Sequence, residues 1–562
     1  MANVILTPVT LWRDFDESLP LNATVFSESE GENFIRRELI FYGRETGSGR
    51  VRIYAQYYTP KGLESYPAVM VLFEAGFPVD EIFVESLVKR GYAVFCPDYC
   101  GENATGKYTV YPLNVDYANL VRAGSHIDLA EPSARETSWY EWAAVARYGA
   151  KYLREQSAVT RVGAIGIRTG GEVLFKIAPY AGLSCMVSIC AAGWLAYRGL
   201  DKFGDSEKKT FSEERHRFIA GIDSQSYAPY VKCPVLLLSA VNDPKYNYDR
   251  VYDTFRQINP EVEKALLFSA HGNGLIGRHS RTDMMLFLDK CLKDRSIYIS
   301  PPVDVTVEEE NGKLVAKGNF DMGGEIAECG IFFTENIKGY QTRDWTRVLA
   351  SPKDLKDNVG TFDLNVYKKS DKVLLYSFVR YSNDFSVTSK IKAVNLEKKY
   401  VNTRPQSRVL YTSADGLNGF VEYRRRARSV ADCFTDCFSD TDTGEADVHL
   451  EAGYGGILGI TSPSGIVSHR VSEPRYAPPE GAMFRFDAYA GADTSLKVVF
   501  IRKDVEYACE VDVAGGGKWK NIVLEAGDFK SETGAPLGDF ALVTSVAILF
   551  EGNALVNNVL WL

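Results

Sequence analysis

The stretch Arg161-Val-Gly-Ala-Ile-Gly166-Ile-Arg168-Thr-Gly170-Gly171 decides how this chain is read. An apolar, β-branched run leads into a turn flanked by glycines, and a helix-like segment follows. Gly166, Arg168 and Gly170 occupy the first, middle and last places of a G-x-S-x-G elbow. Such an elbow is a sharp strand-to-helix turn that lifts its middle side chain above the edge of a sheet. Its middle residue is ordinarily a serine, and here it is Arg168. A guanidinium stays protonated at any working pH and cannot attack a carbonyl. The frame of a nucleophile site is therefore predicted without its nucleophile.

The flanking sequence fits the same frame. Upstream, Pro67-Ala-Val-Met-Val-Leu-Phe-Glu74 reads as an apolar strand running into Ala75-Gly76-Phe77-Pro78. A helix-like stretch reaches Arg90, and Gly91-Tyr-Ala-Val-Phe-Cys-Pro-Asp98 reads as the next strand. Downstream, Cys233-Pro-Val-Leu-Leu-Leu-Ser-Ala-Val-Asn-Asp243 is a buried-type strand with an acid just past its end. Ala265-Leu-Leu-Phe-Ser-Ala-His271-Gly272 is another, with a histidine just past its end. Strands alternating with helical stretches predict a doubly wound, mostly parallel α/β sheet covered on both faces. Elbow, acid and histidine follow one another in the order of an α/β-hydrolase triad.

On these residues the segment from about 35 to 299 resembles the α/β-hydrolase superfamily. Within it the segment is most similar to the dienelactone hydrolase, acetyl xylan esterase and cephalosporin deacetylase group. The resemblance implies a triad-like acid at Asp243, a base at His271 and oxyanion-hole amides at Phe77 and Thr169. Two positions depart from the family pattern: Arg168 replaces the serine, and Ala75 replaces the histidine of the oxyanion loop.

At 562 residues the chain is too long for one core, and about three to four domains are expected. A charged content of 24% and a net charge of −9 suit a globular chain and give no reason to expect nucleic-acid binding. The short basic run Arg424-Arg425-Arg426 with Arg428 reads as a solvated face or a local anion contact. No stretch approaches the length of a membrane span. Ten scattered cysteines suit buried thiols in a reducing compartment, so a cytoplasmic location is expected. Cys433 and Cys437 have poor zinc spacing, and neither metal nor cofactor is expected.

Three domains are expected: residues 1–299, 300–402 and 403–562. After Ile299-Ser-Pro-Pro302 the helical patterns give way to short alternating runs such as Val303-Asp-Val-Thr-Val307, predicting an immunoglobulin- or fibronectin-like β-sandwich. A second boundary falls near Asn402-Thr-Arg-Pro405. The last segment, through Lys518-Trp519 and Val556 to Trp561, resembles a galactose-binding-like jelly roll of the carbohydrate-binding kind, with Trp519 and Trp561 read as packing residues.

A guanidinium above an apolar sheet requires an anionic partner. Glu74 is the first candidate and Asp243 the second, and a bridge to either fills the ester pocket beside Ala75. Two functions follow. One is a carbohydrate-associated pseudo-esterase that binds a glycan, an acylated glycan or a partner. The other is a working hydrolase or lyase acting on acylated or uronate-containing carbohydrate, with His271 and Asp243 as base and acid and Arg168 stabilising negative charge.

Overall fold

A computed structural model describes residues 4–102, 106–200, 202–203, 210–243, 248–269, 278–301, 303–337, 339, 342–397, 399–422 and 448–562. His271, the Arg424–Arg428 run, Cys433 and Cys437 lie outside the described residues.

The first part of the chain builds a nine-stranded sheet in the order β1-β2-β3-β5-β4-β6-β7-β8-β9. The strands are β1 Thr24–Glu30, β2 Phe34–Thr46, β3 Gly49–Pro60, β4 Tyr66–Leu72, β5 Ala93–Pro97, β6 Val159–Ile167, β7 Cys185–Ile189, β8 Val235–Ala240 and β9 Lys264–Ser269. From β5 onward across the sheet every pairing is parallel, while β1, β2 and β3 join antiparallel at one edge. Strands β5, β7 and β8 are buried at every residue, as continuous apolar runs in a covered parallel sheet must be. The first thirty residues supply β1, an edge strand exposed along its whole length.

The helices are α1 Pro8–Leu11, α2 Glu81–Lys89, α3 Ser138–Arg154, α4 Thr169–Ile177, α5 Glu213–Gly221, α6 Ser224–Tyr227, α7 Val251–Gln257 and α8 Arg278–Lys293. Helix starts follow local chemistry. The Asp80 carboxylate accepts from Phe83 N at 3.0 Å and the Thr137 hydroxyl from Tyr140 N at 3.3 Å, satisfying amides with no helical partner. One face of the sheet packs on α3 and α4 through residues such as Trp142, Tyr148, Leu174 and Phe175. The other packs on α2 and α8 through Phe83, Leu87, Met284 and Leu288. No described helix is long and apolar enough to cross a membrane.

Past Ile299 the described chain is built mainly of strands. Residues 304–395 form a three-stranded and a five-stranded sheet. Their apolar residues are continuous with the first core: Cys329, Ile331 and Val379 join the α2/α8 cluster, and Phe332, Trp345 and Tyr376 join the α3/α4 cluster. Residues 409–561 form two six-stranded sheets around a separate core containing Phe484, Phe500 and Trp561. Trp561 is buried, and its indole N–H donates to Tyr476 O at 2.9 Å. Trp519 is half-buried against Tyr489, with ring centroids 5.6 Å apart.

The second part is tied to the first by a fully buried ion pair. The Arg343 guanidinium meets the Asp249 carboxylate in two bonds of 2.8 and 3.0 Å. Its remaining N–H groups donate to Tyr248 Oη, Asn336 O and Ile337 O, so all five are satisfied. Asn242, beside Asp243, donates from Nδ2 to Arg343 O at 2.9 Å.

Candidate active site

Arg168 joins β6 to α4 with φ 51° and ψ −110°, a conformation a residue other than glycine enters only under strain. Arg168 N donates to Ile189 O at 2.8 Å, and Glu172 N bonds back to Arg168 O at 3.0 Å, so strand and helix fix the turn from both sides. The glycines are required by close approach. A Cβ on Gly170 would stand 1.9 Å from Leu72 O, and one on Gly166 would stand 2.5 Å from Gly170 O. Only a bare backbone lets α4 start this close to β4 and β6. Gly170→Ala is therefore expected to cost about 3 kcal/mol or more, the upper end for overpacking, because the contact is with main chain. Thermal unfolding checks this, and an unchanged melting temperature would contradict the close approach.

A second strained segment follows β7. Cys190, Ala192 and Trp194 have φ of 49°, 65° and 58°. Sequence reasoning missed what holds it. Buried Glu172, on α4, accepts from Ala192 N at 2.7 Å and also from the Ser224 hydroxyl. Asp223 accepts from Ala196 N at 3.2 Å. Burial pushes the Lys176 ammonium down and the Asp223 carboxyl up from their ordinary values. Lys176 donates to Glu172 O at 2.9 Å and lies 4.7 Å from the Trp139 ring centre. Glu and Lys four residues apart on a helix read as a surface pair, which concealed this buried network.

The Arg168 side chain is 3% exposed, and its Nη1 stands 3.6 Å from Asp243 Oδ1. The second-choice partner of the sequence reading thus forms an ion pair with it. Glu74 lies two residues past the end of β4 rather than within it, is buried, and accepts from Thr169 N at 2.9 Å. That amide is one of the two expected to stabilise an oxyanion. The other, Phe77 N, donates to Glu74 O at 3.2 Å. The Phe77 N–H thus closes the turn Glu74–Phe77 on itself. Ala75 is half-buried in this turn, and Gly76 N donates to Cys100 Sγ at 3.2 Å.

The structure thus brings Arg168, Thr169, Glu74 and Asp243 together at the carboxyl ends of the parallel strands. The turn carries a buried cation, and Glu74 accepts from both Thr169 N and Phe77 N. Among the described residues no group of three His, Cys, Asp or Glu side chains is placed to hold a metal ion.

No protein-family model matches the chain. Among solved structures it is similar over part of its length to acetyl xylan esterase 1 from a Thermoanaerobacterium species, at 18% identity, covering 47% of this chain and 87% of that one, with a TM-score of 0.37. It is similar to an acetyl xylan esterase from a Paenibacillus species at 14% identity, covering 51% and 92%, with a TM-score of 0.37. Among curated proteins, an acidic phospholipase A2 of Crotalus adamanteus is 32% identical over 90 residues, 14% of this chain. A second, from Crotalus horridus, matches to the same extent. The chain spans 63% of the length of these curated relatives. Likenesses this remote or partial leave the chemistry to the geometry of the site itself.

Proposed function

We propose that this protein is a carbohydrate-associated, esterase-like protein whose hydrolase site has been closed, and that it binds a glycan or a partner rather than cleaving an ester. On this reading residues 1–299 are an α/β-hydrolase-like domain. Residues 300–402 are an immunoglobulin-like sandwich, and residues 403–562 a jelly roll of the carbohydrate-binding kind. The observation that carries the closure is Arg168 on the strained turn, buried and paired with Asp243 at 3.6 Å. Two further facts support it: Thr169 N already donates to a carboxylate, and Phe77 N to a carbonyl. A substrate carbonyl entering this site would have to displace Glu74 and would meet the Arg168 guanidinium at the turn.

The expected result is negligible turnover of a short-chain aryl acetate and of acetylated xylo-oligosaccharide. A hydrolase stripped of its triad nucleophile retains roughly 10³–10⁴-fold catalysis over water from its oxyanion hole and binding alone. With both amides engaged, even that residue should shrink. Turnover that is rapid in the wild type and lost in His271→Ala would establish the working hydrolase instead.

A further inference from the structure

Segment 343–347 is gripped from two sides. Arg343 faces the first part of the chain, through the ion pair with Asp249 described above. The next residue, Asp344, is buried and faces the C-terminal sheets, where its Oδ2 stands 3.4 Å from Arg470 Nε. Arg347 N donates to Asn418 Oδ1 at 3.0 Å, and Asn418 Nδ2 donates back to Arg347 O at 3.2 Å. Asn336 Nδ2 adds a bond to Ser472 Oγ at 2.9 Å. These contacts form a joint between the sheets of residues 304–395 and those of residues 409–561. Through the bond from Asn242 to Arg343 O, the joint also reaches the elbow.

A cavity of about 20 Å³ lies in the joint, far below the size of a ligand site, about 300–1,000 Å³. Its lining includes three carboxyl groups, Glu335, Asp344 and Glu473, and two guanidiniums, Arg404 and Arg475. Arg470 and Asp415, 3.4 Å apart, add one of each beside it. The Tyr476 phenol lines the same cavity, and buried His469 acts on Asp344. Asp344 and Asp415 thus share Arg470. Glu335 accepts from Tyr367 N at 2.5 Å and feels the charges of Arg475 and Arg404. Glu473, 6% exposed, is met by a neutral group: the Thr334 hydroxyl donates to its Oε1 at 2.8 Å.

This buried set holds one carboxyl group more than it holds guanidiniums. A buried carboxyl without a counter-charge keeps its proton, and Glu473 is the one so placed. Burial, and after it the charge of Asp344, push Glu473 up to about 8. Burial raises Asp344 and Glu335 as well, so both neighbours act in the same direction. Opening the joint returns Glu473 to water and to the ordinary carboxyl range. The joint is therefore firmest in acid, and it weakens as the pH rises from that range to about 8.

We propose that Glu473 is a proton-operated latch: neutral, it lets the C-terminal sheets close on segment 343–347, and ionised, it loosens them. The latch goes beyond the closure of the elbow and does not depend on it.

The test is hydrogen exchange of the full-length protein from pH 5 to pH 8, with the intrinsic pH dependence of exchange divided out. Arg347 N, bonded across the joint, is the reporter, and amides of the strand Thr494–Arg502 are the reference. Protection of Arg347 N relative to that strand should fall with rising pH, by up to about tenfold per unit. Glu473→Gln, which stays neutral at every pH, should remove the fall, and His469→Gln should leave it. Equal relative protection at pH 5 and pH 8 in the wild type would overturn the latch, and that comparison needs neither variant to fold. A fall that persists in Glu473→Gln, or vanishes in His469→Gln, would overturn Glu473 as the group that operates it.

Discussion

Replacing Arg343 by methionine is expected to destabilise the part of the chain that builds the nine-stranded sheet by about 3–5 kcal/mol, although Arg343 lies beyond it in sequence. All five of its N–H groups are satisfied and it is fully buried, so removal leaves the Asp249 carboxylate without its guanidinium in an interior of low dielectric. The loss should spread to the elbow, because Asn242 Nδ2 bonds Arg343 O and Asp243 is the next residue. Scanning calorimetry should show the earliest transition moving to lower temperature. Displacement of that transition is the proper readout, since a chain with several cores has no single unfolding free energy. Arg343→Met combined with Asp249→Leu should recover much of the loss, because a well-packed apolar pair often matches a buried ion pair. An unchanged first transition in Arg343→Met would mean that the two parts are stabilised independently.

Arg168→Met should be the second most damaging change, by about 3–5 kcal/mol if Asp243 stays ionised. It removes the cation 3.6 Å from a fully buried carboxylate. Asp243→Asn should cost a comparable amount, and the double variant should cost less than the sum of the two, as expected for groups in contact. Equal additive losses would show that the two side chains do not stabilise each other. Arg168→Ser supplies a hydroxyl at the elbow, yet it should not by itself restore turnover. Glu74 still accepts from Thr169 N and Phe77 N still closes its own turn, leaving a developing oxyanion without donors.

The parallel part of the sheet was legible because its strands are uninterrupted apolar runs with acid or glycine signals just past their ends. The elbow was legible because glycines at 166 and 170 have a steric meaning independent of the residue between them. Strand β1 was not legible: all seven of its residues are exposed, so no alternation separates one face from the other. The need of Arg168 for a carboxylate followed from electrostatics, and Glu74 and Asp243 were both foreseen at the site. Their division of labour was not. Glu74 lies past the strand end, where side-chain direction depends on the turn that Phe77 N closes, and that turn has no periodic signature. Arg343 escaped notice because its partner is 94 residues away in another part of the chain.

The most direct test of a closed elbow is intact-mass spectrometry after incubation with a fluorophosphonate, which bonds covalently to an activated serine. The predicted result is no adduct on the wild-type protein, with Arg168 at the elbow and Glu74 on the Thr169 amide. A stoichiometric single-site adduct that disappears in His271→Ala would contradict it, and would show that a working nucleophile lies elsewhere at this site.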